Sequence, residues 1–278
     1  MNSSNLLSVI TFVYGFAAVL YIVSWVFDKK LPAKIGTWIL VFCAAGNAVG
    51  ILLRWVESYR LGFGHAPLSN MYESLIFFSL AITVFYLIIE LKYRNRIIGA
   101  FAAPVAFLAM AYASLSPNIT DRIQPLIPAL QSNWLIAHVV TCFLGYAAFA
   151  IAFGVSILYL ISRKSPESES RISILSPAFL DELTYRMIMF GFFFLTIGII
   201  TGAVWANSAW GRYWGWDPKE TWSLITWLLY ASLLHMKLMR GWQGKRIAYF
   251  SIIGFAAVLF TYFGVNYLPG LHSYATQG

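Results

Sequence analysis

Charge is what this sequence has least of. Of 278 residues only 11 are Asp or Glu and 19 Lys or Arg, while 60% are hydrophobic, a balance that excludes an ordinary water-soluble globule. Cysteine is nearly absent as well. Cys43 and Cys142 both lie inside apolar runs and form no CxxC pair, so a disulfide framework and a thiol-redox centre are excluded. No glycine-rich phosphate loop and no nucleophile elbow is present, which removes the commonest routes to nucleotide and acyl chemistry. The start, MNSSN, carries no basic side chain, and the apolar stretch after it is too long for the h-region of a signal peptide, so no cleavable signal is expected. No internal repeat stands out.

Eight long apolar segments fill most of the chain, at about 6–27, 35–56, 71–91, 97–115, 134–161, 185–205, 221–239 and 247–266. A bilayer core takes roughly 20 apolar residues per helical crossing. Lipid admits only helices and closed barrels, because every backbone polar group must be satisfied internally. The segments are too long for barrel strands. The expected fold is therefore all-α, a polytopic integral membrane helical bundle of about eight transmembrane helices, read as a single domain over 1–278.

Basic residues orient it. Lys29, Lys30, Lys34, Lys92, Arg94, Arg96, Arg163, Lys164, Arg171, Arg186, Lys237, Arg240, Lys245 and Arg246 fall in one set of connections. Arg54, Arg60, Arg122, Arg212 and Lys219 fall in the other. The positive-inside rule then places both termini on the outer face. Topology accounts for the net charge of +8, and a nucleic-acid partner is not expected. The outer loops run over 57–70, 116–133 and 206–220, with a tail at 267–278. The connection over 162–184, containing SRKSPESESR, reads as a solvated linker.

The candidates for chemistry are few. Of four histidines, His65 lies in the first outer loop, His138 near the outer start of the fifth helix, and His272 in the outer tail. His235 is 14 residues beyond Thr221, roughly 21 Å down the seventh helix and past the middle of a roughly 30 Å core. An ionisable group at that depth is usually functional. The alternative is a neutral histidine bonded to a carbonyl or reaching towards Lys237.

Six of eleven tryptophans, Trp205, Trp210, Trp214, Trp216, Trp222 and Trp227, crowd around WGRYWGWDPKETW. One or two suit an interfacial belt. Four between 210 and 222, spaced by Gly211 and Gly215, suit instead a flat apolar platform for a planar aromatic ligand. Asp217, Pro218 and Glu220 fit an N-cap, a first-turn proline and a capping-box partner, so they start the seventh helix and set where Trp216 and Trp222 point. Asn70 and Glu73 repeat the pattern at the third helix. Imidazoles from His138 and His272, on the platform's side, could ligate a haem iron from opposite faces, with Arg212 and Lys219 near its propionates.

At these residues the chain resembles the CcsA/ResC-type subunit of the system II cytochrome c synthase, in the haem-handling superfamily marked by a tryptophan-rich WWD motif. WGRYWGWDPKETWSLITW resembles that signature and NWLIAHVVTCFLGYAAF its upstream histidine helix. WLLYASLLHMKLMRGW resembles the intramembrane histidine segment, FTYFGVNYLPGLHSYA the downstream histidine, and GHAPLSNMYES a further family segment. The resemblance implies that haem b enters from the inner side and is held partly by His235. It then moves to an outer site between His138 and His272, among Trp205, Trp210, Arg212, Trp214, Trp216, Asp217, Glu220 and Trp222. There it would be joined by thioether bonds to the CxxCH thiols of apocytochrome c, kept reduced by a thiol-reducing system. No second histidine is expected at the depth of His235. The missing ligand then falls to a partner, the CcsB/ResB-type membrane subunit. His65 stays open between loop packing, hydrogen bonding and transient ligation. The resemblance implies a bacterial plasma membrane or a thylakoid membrane, with the working face towards the periplasm, lumen or outside. A solute transporter would show broken helix pairs, which are not visible. A haem transporter or delivery chaperone without ligation activity is the competing reading.

Overall fold

The computed structural model describes residues 2–162 and 176–268, and all regular structure among them is helical. Each apolar segment forms a helix: α1 (Ser3–Phe27), α2 (Lys30–Arg60), α3 (Met71–Tyr93), α4 (Gly99–Leu115), α5 (Asn133–Ser162), α6 (Pro177–Trp210), α7 (Pro218–Arg240) and α8 (Lys245–Tyr262). Six are long and apolar enough to cross a membrane, namely α1, α2, α3, α5, α6 and the stretch Lys245–Tyr267 containing α8. Helix α4 is apolar but has 17 residues, and α7 carries Lys219, Glu220, His235, Lys237 and Arg240 along its length. The linker residues 163–175 and the tail from 269, with His272, lie outside the described residues.

The helices outrun their apolar cores, because hydropathy detects only the lipid-soluble middle of a helix whose polar ends continue it. Thus α6 ends not at 205 but at Trp210, where Gly211 turns left-handed (φ 72°) and returns its N–H to the Asn207 carbonyl. Trp205 and Trp210 therefore ride on a helix, and the loop that follows shortens from the expected 206–220 to 211–217.

Packing is concentrated in two compact units, Met1–Gln131 and Ser132–Gly278. In the first, α1 packs on α2 and α4, and α3 on α4 and α2. Two buried carboxylates pin it. The Glu90 carboxylate accepts from the Tyr86 hydroxyl (2.8 Å), the Tyr21 hydroxyl (3.0 Å), the Thr37 hydroxyl (2.7 Å) and the Arg96 guanidinium (2.9 Å), drawing three helices and the α3–α4 connection together. At the other end of α3, Arg54 Nε donates to Glu73 Oε1 at 2.6 Å, the side chains only 2% and 1% exposed. Arg54 Nη1 also donates to the Asp121 carbonyl at 2.7 Å.

The Asn70 cap forms as the sequence implies, with its side chain accepting from Glu73 N at 2.9 Å. The Glu73 carboxylate does not close the box onto Asn70. It accepts from the Ser69 backbone and hydroxyl instead, since Arg54 holds it there. Removing one member of a buried ion pair strands the other charge, which costs about 3–5 kcal/mol. Glu73→Ala should lower the thermal unfolding midpoint of the detergent-solubilised protein accordingly, and an unshifted midpoint would contradict the buried pairing.

In the second unit α5 lies along α6, α8 packs on α5 and α7, and α7 touches α6. The α5–α6 approach is close enough that a Cβ at Gly145 would sit 3.0 Å from the Gly191 carbonyl. Phe149 of α5 stacks on Tyr230 of α7, ring centroids 3.6 Å apart. The Asp181 carboxylate, near the start of α6, pairs with Lys237 and accepts from Gly244 N (2.7 Å), tying α6 to the α7–α8 turn.

Candidate functional site

The start of α5, the end of α6, the start of α7 and the end of α8 meet at one side of the second unit. His138 sits there, one and a half turns into α5. Its Nδ1 lies 2.7 Å from the Gly198 carbonyl oxygen of α6. A carbonyl can only accept, so Nδ1 carries the proton and donates it, and the imidazole lone pair falls on Nε2. The Thr201 hydroxyl donates to the same carbonyl at 3.1 Å. Gly202 makes room for the ring, as a Cβ there would stand 2.6 Å from Nδ1. Trp205, 3% exposed, stacks near-parallel to the imidazole (centroids 6.0 Å, 17°), and Trp210 meets Trp205 edge-on at 5.0 Å. Positions 198, 202 and 205 recur on one face of α6, which is why one helix supplies acceptor, gap and stacking partner.

The loop over 211–217 is built around Trp216. Its φ of 57° is left-handed, unusual for a bulky side chain, yet the indole is 68% exposed. Left-handed backbone at a non-glycine residue is uncommon and is met more often at functional sites than in packed cores. Trp214 meets Trp216 edge-on at 5.7 Å, and its buried Nε1 finds no acceptor among the described residues. The capping box is complete: Asp217 Oδ1 accepts from Lys219 N at 3.0 Å, and Glu220 Oε2 accepts from Asp217 N at 3.2 Å and from Gly215 N at 2.7 Å. Both carboxylates thus bond to the backbone that carries the tryptophans.

The exposed Arg212 guanidinium lies so close over Gly215 that a Cβ there would be 2.6 Å from its central carbon. Lys219 donates to Asn266 Oδ1 at 3.3 Å, and burial holds its ammonium below the ordinary lysine range against the opposing pull of Asp217. Trp222 leaves the loop cluster and packs on Phe260 of α8 (4.2 Å).

Trp216 offers a clean separation of fold from function. A left-handed conformation costs a non-glycine residue about 1–2 kcal/mol, and the edge contact with Trp214 returns about 0.5–1.5 kcal/mol. Trp216→Gly should therefore leave stability within about 1 kcal/mol of wild type while removing the exposed indole. A large fall in unfolding midpoint would assign Trp216 to the core of the loop.

His235 stands near the opposite end of the unit, 17 residues from Pro218 and so about 25 Å along α7. Its ring is exposed, and no described residue hydrogen-bonds it. Lys237 is turned to Asp181, so the expected alternatives, a carbonyl partner or an approach to Lys237, have no contact behind them. The ring borders a shallow recess of about 320 Å³ with Ala231, Ser232 and Met236. Small residues one turn earlier leave its face open to a flat ligand or another chain.

His65 belongs to the first unit and is 7% exposed. Its Nδ1 lies 3.1 Å from the Ala66 carbonyl and Nε2 2.9 Å from the Gln124 carbonyl, and its own carbonyl accepts from the Ser58 hydroxyl at 2.8 Å. It laces the turn after α2 to the segment after α4. Sequence reasoning missed Gly198, Gly202 and Asn266 as site residues. The four-residue spacing of Gly198 and Gly202 in an apolar helix was the available signal for a close helix approach.

Comparison with known proteins identifies the family. A family model described as cytochrome C assembly protein matches residues 68–272. The cytochrome c biogenesis protein CcsA of Heterosigma akashiwo is 43% identical over 83% of this chain and 83% of its own. Those of Pyropia yezoensis (37% identical, 96% of each chain) and Prochlorococcus marinus (41% identical, 82% of this chain and 79% of the relative) are similar. Among solved structures, the cytochrome c haem lyase CcmF superposes with a TM-score of 0.73 over 95% of this chain and 47% of that one, at 17% identity, which establishes a shared fold.

The chain is thus an integral membrane protein with a role in cytochrome c biogenesis. It belongs to the CcsA-type family of cytochrome c assembly proteins.

Proposed function

We propose that this chain is the haem-binding and haem-presenting subunit of a system II cytochrome c synthase. It would cross the membrane eight times, α4 and α7 included, with both termini and the tryptophan loop outside. The single observation that carries the reading is His138: Nδ1 is committed to the Gly198 carbonyl, which leaves the lone pair on Nε2 of a ring that stacks on Trp205. A proton held on one nitrogen by a carbonyl is how proteins prepare the other nitrogen for a metal. The exposed, strained Trp216 and the Trp214 Nε1, which has no acceptor among the described residues, fit a large planar ligand bearing acceptor groups.

Haem is the substrate in this reading. His138, with His272 from the tail, would grip its iron. The indoles would cover its faces, and Arg212 and Lys219 would meet its propionates. His235, facing outward from α7, would hold haem earlier in its passage, with the other axial ligand supplied by a CcsB/ResB-type partner. In the ligation, each CxxCH thiol of apocytochrome c adds across a haem vinyl group. Sulfur bonds one vinyl carbon and a proton ends on the other, so no oxidant is consumed. The contribution of this chain is placement, since oriented reactants react far faster than free ones. Among the described residues, no side chain at the site is arranged as a general acid or a nucleophile.

The test is purification of the chain with its partner. Haem should copurify, and the double variant His138→Ala, His272→Ala should lose outer-site haem while retaining the haem dependent on His235. Unchanged haem spectra in the double variant would refute the ligand assignment. Retained haem without covalent product, with partner and reduced apocytochrome supplied, would make the protein a haem carrier.

A further inference from the structure

If His138 is an iron ligand, something must aim it, and the Nδ1 proton goes to a carbonyl of the neighbouring helix. We infer that Gly198 and Gly202 of α6 are positioning residues that fix the tautomer and direction of the His138 ring, the first through its carbonyl and the second through its missing side chain. This deepens the haem reading and rests on it for the role of the ring, although the tautomer itself does not depend on haem.

Four residues form the cradle. The Gly198 carbonyl takes the Nδ1 proton at 2.7 Å. The bare backbone at 202 lets the ring settle where a Cβ would stand 2.6 Å from Nδ1 and 2.8 Å from Cε1, distances that real carbons do not adopt. Trp205 lies near-parallel to the ring, while Cys142 Sγ, one turn along α5, is 3.6 Å from Nδ1. Trp205 and Cys142 thus flank the ring, Gly202 admits it and Gly198 takes its proton. A methyl group at 202 would force the imidazole to swing away, because the ring is the movable end of its side chain and the helix backbone is not. Swinging breaks the bond to Gly198. Either nitrogen could then carry the proton, and the lone pair would lose its direction.

Loss of such an outer-sphere partner typically costs 10–100-fold in metal affinity. Gly202→Ala should therefore lower haem affinity at the outer site by about that factor, and added imidazole should restore it, as in His138→Gly, because free imidazole supplies the nitrogen the displaced ring no longer presents.

The deciding measurement is ¹⁵N NMR of histidine-labelled protein in complex with its partner, before haem loading, with the His138 signals assigned by difference from His138→Gly. The wild type should show a protonated Nδ1 and an unprotonated Nε2, and Gly202→Ala a mixture of tautomers. A wild-type proton on Nε2, or a wild-type pattern retained in Gly202→Ala, overturns the inference. Haem loss in Gly202→Ala that imidazole does not reverse assigns the glycine to helix packing and also overturns it. A wild-type haem spectrum in His138→Gly refutes the ligand reading instead, and the ¹⁵N pattern still reports whether the cradle sets the tautomer.

Discussion

Glycine in place of His138 should empty the outer haem site. On the proposed reading, removing the imidazole takes away an axial nitrogen, and with it the proton the Gly198 carbonyl accepts at 2.7 Å. Occupancy in the purified complex should fall at least tenfold, about 1.4 kcal/mol or more of lost binding, and yield of covalent cytochrome c should fall with it. Millimolar imidazole should return much of both, because the cavity left between Gly202 and Trp205 has the size of the ring that filled it. The rescue separates ligation from folding, since a misfolded bundle gains nothing from a small base. Reduced-haem absorbance with and without imidazole measures it. Full occupancy without His138 would show that its imidazole does not hold the haem.

His235→Ala should stop cytochrome c maturation while scarcely touching the fold. The ring is exposed, and no described residue hydrogen-bonds it. Its removal strands nothing, and such substitutions change stability by less than about 0.5 kcal/mol. In a membrane the change should even relieve the cost of a polar group facing lipid. Unaltered thermal stability beside background levels of holocytochrome is the expected pair of results, with outer-site haem also depleted because delivery precedes it. Normal maturation in the variant would remove His235 from the route. A large fall in stability would make it a structural residue whose partner lies on another chain.

Much of this architecture was legible in the amino-acid order. Eight apolar segments became eight helices, and Asp217, Pro218 and Glu220 began α7 as their chemistry requires, since capping is satisfied within a few residues. His235 stood out because a polar group inside an apolar segment is visible without any neighbour. Less legible was everything that needs two helices at once. Nothing near residue 138 announces that its ring will meet the carbonyl of residue 198. The Glu73 carboxylate was expected on Asn70 and went to Ser69, because Arg54 of another helix intervened. Trp216 reads as one aromatic among several, and its left-handed backbone is a consequence of closing the short path from Gly211 to Asp217.

Hydropathy and capping patterns act over one turn or one helix length, so the order of residues alone determined the helices and their apolar, membrane-compatible character. Which nitrogen of His138 bears the proton, which indole is left exposed and which histidine is absorbed into loop contacts were decided only by tertiary packing. Those outcomes turn on carbonyls and gaps contributed by residues far away in the chain, and a hydrogen bond or a 2.6 Å clearance exists only once two helices have met.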